Sequence, residues 1–92
     1  KQIKLLELFS KALANKNRIK ILILINDKPK LNVEEISDTL KMTYPTGAVH
    51  IQRLEKVGLI YKRYNGLAVE HIITKRGKHF LDSFEKALNL EE

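Results

Sequence analysis

At Gly58 the hydrophobic period of the chain changes from helical to alternating, so the fold must seat a helix and a hairpin in succession. Before that point, Thr43 can cap a helix and Pro45 suits its first turn. Gly47, Ile51, Leu54 and Val57 then recur at three- and four-residue steps, which predicts one buried face on a helix over 44–57, with Gly58 as its stop. After that point, Leu59 to Tyr64 and Leu67 to Ile73 flank Asn65-Gly66, a dipeptide suited to a two-residue type I′ turn. A hairpin over 59–73 with that turn sets Tyr61 opposite Glu70 and Lys62 opposite Val69, and crowds Lys62, Arg63, Tyr64 and Asn65 toward the tip.

The helix leaves Tyr44, Thr46, Val49, His50 and Arg53 facing outward, with no carboxylate among them and only Glu55 acidic a turn further on. Short, aromatic and hydrogen-bonding side chains with one cation can approach a polyanion and reach base edges. A shorter helix over 33–40 precedes it, opened by the Asn32 and Glu35 capping box and carrying Val33, Ile36 and Leu40 inward. The link Lys41-Met42-Thr43 is short enough to make the pair a helix-turn-helix, and a basic hairpin beside it reads as a wing. The plainer reading of the hairpin is a sheet edge with solvated charges.

Three further helices complete a mainly α fold with one small β-hairpin, a single winged-helix domain over 1–92. The first, over 3–14, is apolar over too wide an arc for one contact surface. The second, over 16–26, is capped by Asn15 and nearly continuous in Ile and Leu, which also admits a buried strand; its length and its Arg18 and Lys20 favour a helix. The last, over 75–88, is capped by Thr74 and weakened by Gly77. Ile3, Leu6 and Phe9 of the first helix match Phe80, Phe84 and Leu88 of the last in character, and the two are expected to build a dimer interface. The alternative is complete burial within one protomer, which so short a chain has little core to provide.

The formal net charge is +6, which favours an anionic partner. Without cysteine there is no disulfide and no thiolate metal site. Residues 1–25 carry lysines throughout with no small-residue cleavage site, and no apolar run approaches a membrane span, so a cytoplasmic protein without membrane association is expected. Catalysis is not expected: there is no glycine-rich phosphate loop, no paired acidic motif and no thiol, and Ser10, Ser37 and Ser83 fall on helices.

Three passages together resemble the ArsR-type winged-helix repressors. They are Phe9 to Leu22, with Leu13-Ala14, Arg18 and Ile21-Leu22 in place; Thr43 to Ile60, with Pro45-Thr46, His50, Leu54 and Gly58-Leu59; and the hairpin turning at Gly66. The Thr74-x-x-Gly77 opening of the last helix is more similar to MarR-type proteins. The resemblance implies a homodimer on a pseudo-palindromic double-stranded DNA operator. Tyr44, Pro45, Thr46, Val49, His50 and Arg53 would lie at the major groove, and Lys62, Arg63 and Asn65 at the flanking backbone or minor groove. Gly47 and Ala48 replace larger or hydroxyl-bearing residues of that family, and Leu67 stands where a basic residue is common, so phosphate contacts and DNA shape would carry much of the affinity. Some members sense metals. Here His79 and Asp82 share a helix face but lack a partner histidine nearby, so no metal, cofactor or effector is assigned.

The expectation is a sequence-specific, homodimeric DNA-binding transcriptional regulator of repressor type. A winged helix used for protein assembly, or a non-specific nucleic-acid-binding protein, is the alternative. Convergence of Arg53, Lys56, Lys62 and Arg63 on one face would favour DNA, and a contiguous apolar patch would favour a protein partner.

Overall fold

A computed structural model describes residues 2–90. Its order is α1 (Ile3–Leu13), α2 (Lys16–Asp27), α3 (Val33–Thr39), α4 (Tyr44–Lys56), β1 (Ile60–Asn65), β2 (Ala68–Ile73) and α5 (Lys75–Leu88). The caps explain these limits. Asn15 accepts from the amides of Asn17 and Arg18, Asn32 and Glu35 form the reciprocal capping box, and Thr74 accepts from Gly77.

Two helices end in the same hydrogen-bonded motif. After α4, Leu59 N–H donates to Leu54 O and Gly58 N–H to Glu55 O, with Gly58 at φ +77°. After α3, Met42 N–H donates to Ser37 O and Lys41 N–H to Asp38 O, and here Lys41 holds the left-handed conformation at φ +58°. Both are Schellman closures, which glycine normally serves because a Cβ is disfavoured there. The second sets the angle between α3 and α4.

The core gathers around α2. Ile21, Leu22 and Ile25 are fully buried and pack with Leu13, Ile36, Ile51, Leu54, Leu59 and Ile60. Ile23, in the middle of the same apolar run, stays exposed. The extended link before α3 adds to the sheet: His71 N–H donates to Leu31 O at 3.1 Å, making an antiparallel bridge beside β2. A single pairing position carries no sequence period, so the bridge was not foreseeable.

The hairpin register differs from the expectation. Asn65 pairs with Ala68, Arg63 with Glu70 and Lys62 with His71, so the turn residues are Gly66 and Leu67. Gly66 has φ +63° whereas Leu67 is not left-handed, which excludes type I′ and fits glycine at the first central position of a type II′ turn. The shift places Arg63 directly opposite Glu70. Two glycines serve close approach instead: a Cβ on Gly47 would run into Ser37 Oγ, and one on Gly77 into Leu59 O. Gly77 is therefore required by packing, whatever it costs α5 in helix propensity.

Candidate nucleic-acid interface

Helix α4 is seated from three sides. Gly47, Ile51 and Leu54 are buried, Gly47 against Ser37 of α3. At its start Thr43 Oγ1 accepts from Thr46 N–H at 3.3 Å and donates to Thr46 Oγ1 at 2.9 Å, leaving the Thr46 hydroxyl proton free. Tyr44, Pro45, Thr46, Val49 and Arg53 are exposed as expected, and His50 is half-buried. Gln52 and Lys56 are exposed beside them. Lys56 was expected among the DNA-facing cations, whereas Gln52 was missed, although the helical phase that buries Gly47, Ile51 and Leu54 points it to the opposite side. Gln52 is the one carboxamide on this helix, a side chain that can bond adenine bidentately.

His50 is held from behind by Arg18. Arg18 is 7% exposed, and its Nε donates to Ala12 O at 2.6 Å and its Nη2 to Lys11 O at 3.2 Å, both at the C-terminal end of α1. Its Nη1 lies 3.1 Å from His50 Nδ1. Burial first, then the charges of Arg18 and Arg53, hold the His50 pKa below the usual histidine range. Burial and Arg53 also lower that of Arg18, which keeps its proton regardless.

Cations surround the exposed face. Among the described residues Arg53 and Lys56 have no ion-pair partner, and with Lys11 of α1 they line a shallow hollow of about 370 Å³. The packing of the end of α1 near the end of α4, a tertiary event, brings Lys11 here. On the wing, Lys62 Nζ is 3.7 Å from Glu55 and Arg63 Nη2 is 3.0 Å from Glu70. The Lys62 pair is partly exposed and weak, whereas Glu70 is buried and accepts from both Nε and Nη2 of Arg63, a firmer contact. Asn65 is exposed near the tip, and Leu67 projects fully into solvent. A second groove of about 380 Å³ between the wing and the start of α4 is lined by Tyr44, Lys62, Tyr64 and Leu67 among others.

Other candidates separate from this surface. His71 is fully buried, its Nδ1 2.8 Å from Leu31 O, and serves the sheet. Among the described residues no group of three metal-ligating side chains converges, and no helix is long and apolar enough to cross a membrane. The residues expected at a dimer interface divide. Phe9 is buried within the protomer, its ring 5.4 Å from that of Phe80, which stacks onward to Phe84 at 6.4 Å. Ile3, Leu6, Phe84 and Leu88 are exposed.

Two close-packed helices with a Schellman turn between them, flanked by a basic hairpin, define a winged helix-turn-helix. The chain matches the family model described as winged helix-turn-helix DNA-binding over residues 15–61 and belongs to that family, one of DNA-binding domains rather than enzymes. No curated protein matches it in sequence. Among solved structures it is similar to Mb0332 from Mycobacterium bovis, described as a homodimeric winged helix-turn-helix DNA-binding domain of a possible ArsR-family regulator. The identity is 26%, over 97% of this chain and 84% of that one, with a TM-score of 0.81. Reduced HlyU from Vibrio cholerae is 23% identical over 95% of this chain and 92% of that one, at a TM-score of 0.78. NolR from Sinorhizobium fredii is 14% identical over 98% and 90%, at 0.84. At such identities the last two share the fold alone.

Proposed function

We propose that this chain is a sequence-specific, homodimeric transcriptional repressor that reads double-stranded DNA with α4 and clamps the flanking backbone with its wing. The observation that carries the reading is the exposed face of α4, where Tyr44, Pro45, Thr46, Val49, Gln52 and Arg53 stand with exposed Lys56 beside them and Lys62 of the wing across the groove from Tyr44. Thr46, His50, Gln52 and Arg53 supply hydrogen bonds to base edges, and Tyr44 and Val49 supply apolar contact to thymine methyls. Lys62 reaches phosphate once the Glu55 carboxylate releases it, Arg63 through the guanidinium nitrogen that Glu70 does not hold, and Asn65 from near the tip.

Dimerisation is supported by α5. From Asp82 onward every residue of that helix is exposed, including Phe84 at 38% and Leu88 at 84%, and Ile3 and Leu6 of α1 are exposed at 73% and 52%. A helix end carrying such side chains is marginal in water without cover. The homodimeric state described for Mb0332 supports a second copy as that cover. Two protomers then present α4 to half-sites about 34 Å apart.

The test separates readers from clamps. Arg53→Ala should cost about 1–3 kcal/mol on a specific duplex and relax base choice at one position. Lys62→Ala with Arg63→Ala should weaken all duplexes alike and lower the salt slope by about 2. Parent-like titrations of both variants on specific and random duplexes would refute the assignment.

A further inference from the structure

Arg18 is buried on the inner side of α4, spans two helices and a histidine, and is not accounted for by phosphate binding. We propose that Arg18 is a positioning residue that locks His50 into a single tautomer, with the proton on Nε2, and so makes position 50 a one-way hydrogen-bond donor toward DNA. The inference rests on α4 being the DNA-reading helix and adds the polarity of one contact to that reading.

A guanidinium has donors only, so the 3.1 Å contact from Nη1 obliges His50 Nδ1 to accept. The neutral ring's proton must then sit on Nε2, which has no partner among the described residues and is not sealed from solvent. Arg18 cannot swing away, because its Nε and Nη2 are tied to Ala12 O and Lys11 O. These carbonyls belong to the end of α1, where helix carbonyls are short of amide donors, although Lys11 O also accepts from Ala14 N–H at 3.4 Å. The charged groups facing His50 are Arg18 from α2 and Arg53 from α4; both oppose a second proton on the ring, so the neutral donor form persists. A neutral Nε2–H ring donates to purine N7, guanine O6 or a phosphate oxygen, and rejects the amino groups of cytosine and adenine. Lysine could not substitute for Arg18, since one ammonium cannot bridge two carbonyls and a ring nitrogen at fixed angles.

The test begins with the full chain free of DNA. Long-range proton–nitrogen correlation of the ¹⁵N-labelled protein should show His50 protonated at Nε2 and bare at Nδ1. Arg18→Met and Arg18→Lys should both give an averaged tautomer while His71 keeps its signals. A proton on Nδ1 in the parent overturns the proposal, as does an unchanged His50 ring in either variant; if both variants unfold, the parent spectrum decides. The second arm takes the duplex enriched by the parent from a random library. Replacing purines one at a time with 7-deaza analogues should lower affinity about 5- to 10-fold at one position per half-site, the loss of one hydrogen bond, and His50→Ala should abolish that sensitivity. Sensitivity to a methylphosphonate instead assigns the acceptor to the backbone. Sensitivity confined to 2-aminopurine in place of guanine assigns the acceptor to O6. Insensitivity to all three, with Nε2–H confirmed, overturns the donor role; failure to enrich any duplex overturns the DNA reading and leaves the ring state to the spectrum.

Discussion

Gly47 presses on Ser37 where the two helices of the helix-turn-helix meet, leaving no room for a Cβ between them. Ser37 is 1% exposed and its hydroxyl has no hydrogen-bond partner among the described residues. Gly47→Ala should therefore destabilise the fold by about 1–3 kcal/mol through overpacking. Ser37→Ala should be neutral or mildly stabilising, because it removes a buried hydroxyl that bonds nothing. Together the two should recover much of the loss, and chemical denaturation of all four members of the cycle would expose the coupling.

The two Schellman closures differ in one residue, Gly58 in one and Lys41 in the other. Lys41→Gly should raise stability by about 1 kcal/mol by relieving the left-handed strain. For a domain of this size that is a melting-temperature gain of about 4–8 °C, which calorimetry would detect. A loss of stability would mean that Lys41 makes a compensating contact.

Phe84 and Leu88 belong to the uncovered end of α5. Phe84→Glu with Leu88→Glu should leave the monomer fold intact, shift sedimentation equilibrium to a single protomer, and lower affinity for a two-half-site duplex more than for a single half-site. An unchanged dimer would place the interface elsewhere.

His50 links stability to pH. Its folded pKa is depressed from 6.5, so between the two values the unfolded chain binds more protons than the folded one. The contribution is complete above about pH 6.5 and declines as pH falls toward the folded value. His50→Gln should flatten the stability profile in that window, measured by urea unfolding from pH 7.5 down to pH 5.

Much of this was legible from residue spacing. The caps Asn15, Asn32, Thr43 and Thr74, the stop at Gly58 and the stripe Gly47–Ile51–Leu54 act within a few residues of one another, and the element limits follow from them. The hairpin was legible but its register was not: moving the turn by one residue shifts each pairing by two and keeps the same residues on each face, so hydrophobic alternation cannot distinguish the alternatives. The inner support of the site was hidden for a different reason. Arg18 resembles a solvated charge at a helix start, and only the packing of α1, α2 and α4 turns it inward to His50, just as it carries Lys11 toward Arg53. Phe9 illustrates the same limit, since an apolar side chain shows that it needs cover but not whether its own protomer provides it.

The central claim, that a pair of α4 helices reads DNA, is tested most directly by selecting the purified chain against a random-sequence duplex library at two salt concentrations and sequencing what is retained. The account predicts a two-fold symmetric motif with half-sites about one helical turn apart, bound less tightly as salt rises. Retention without any enriched motif, or no retention even at low salt, would contradict it.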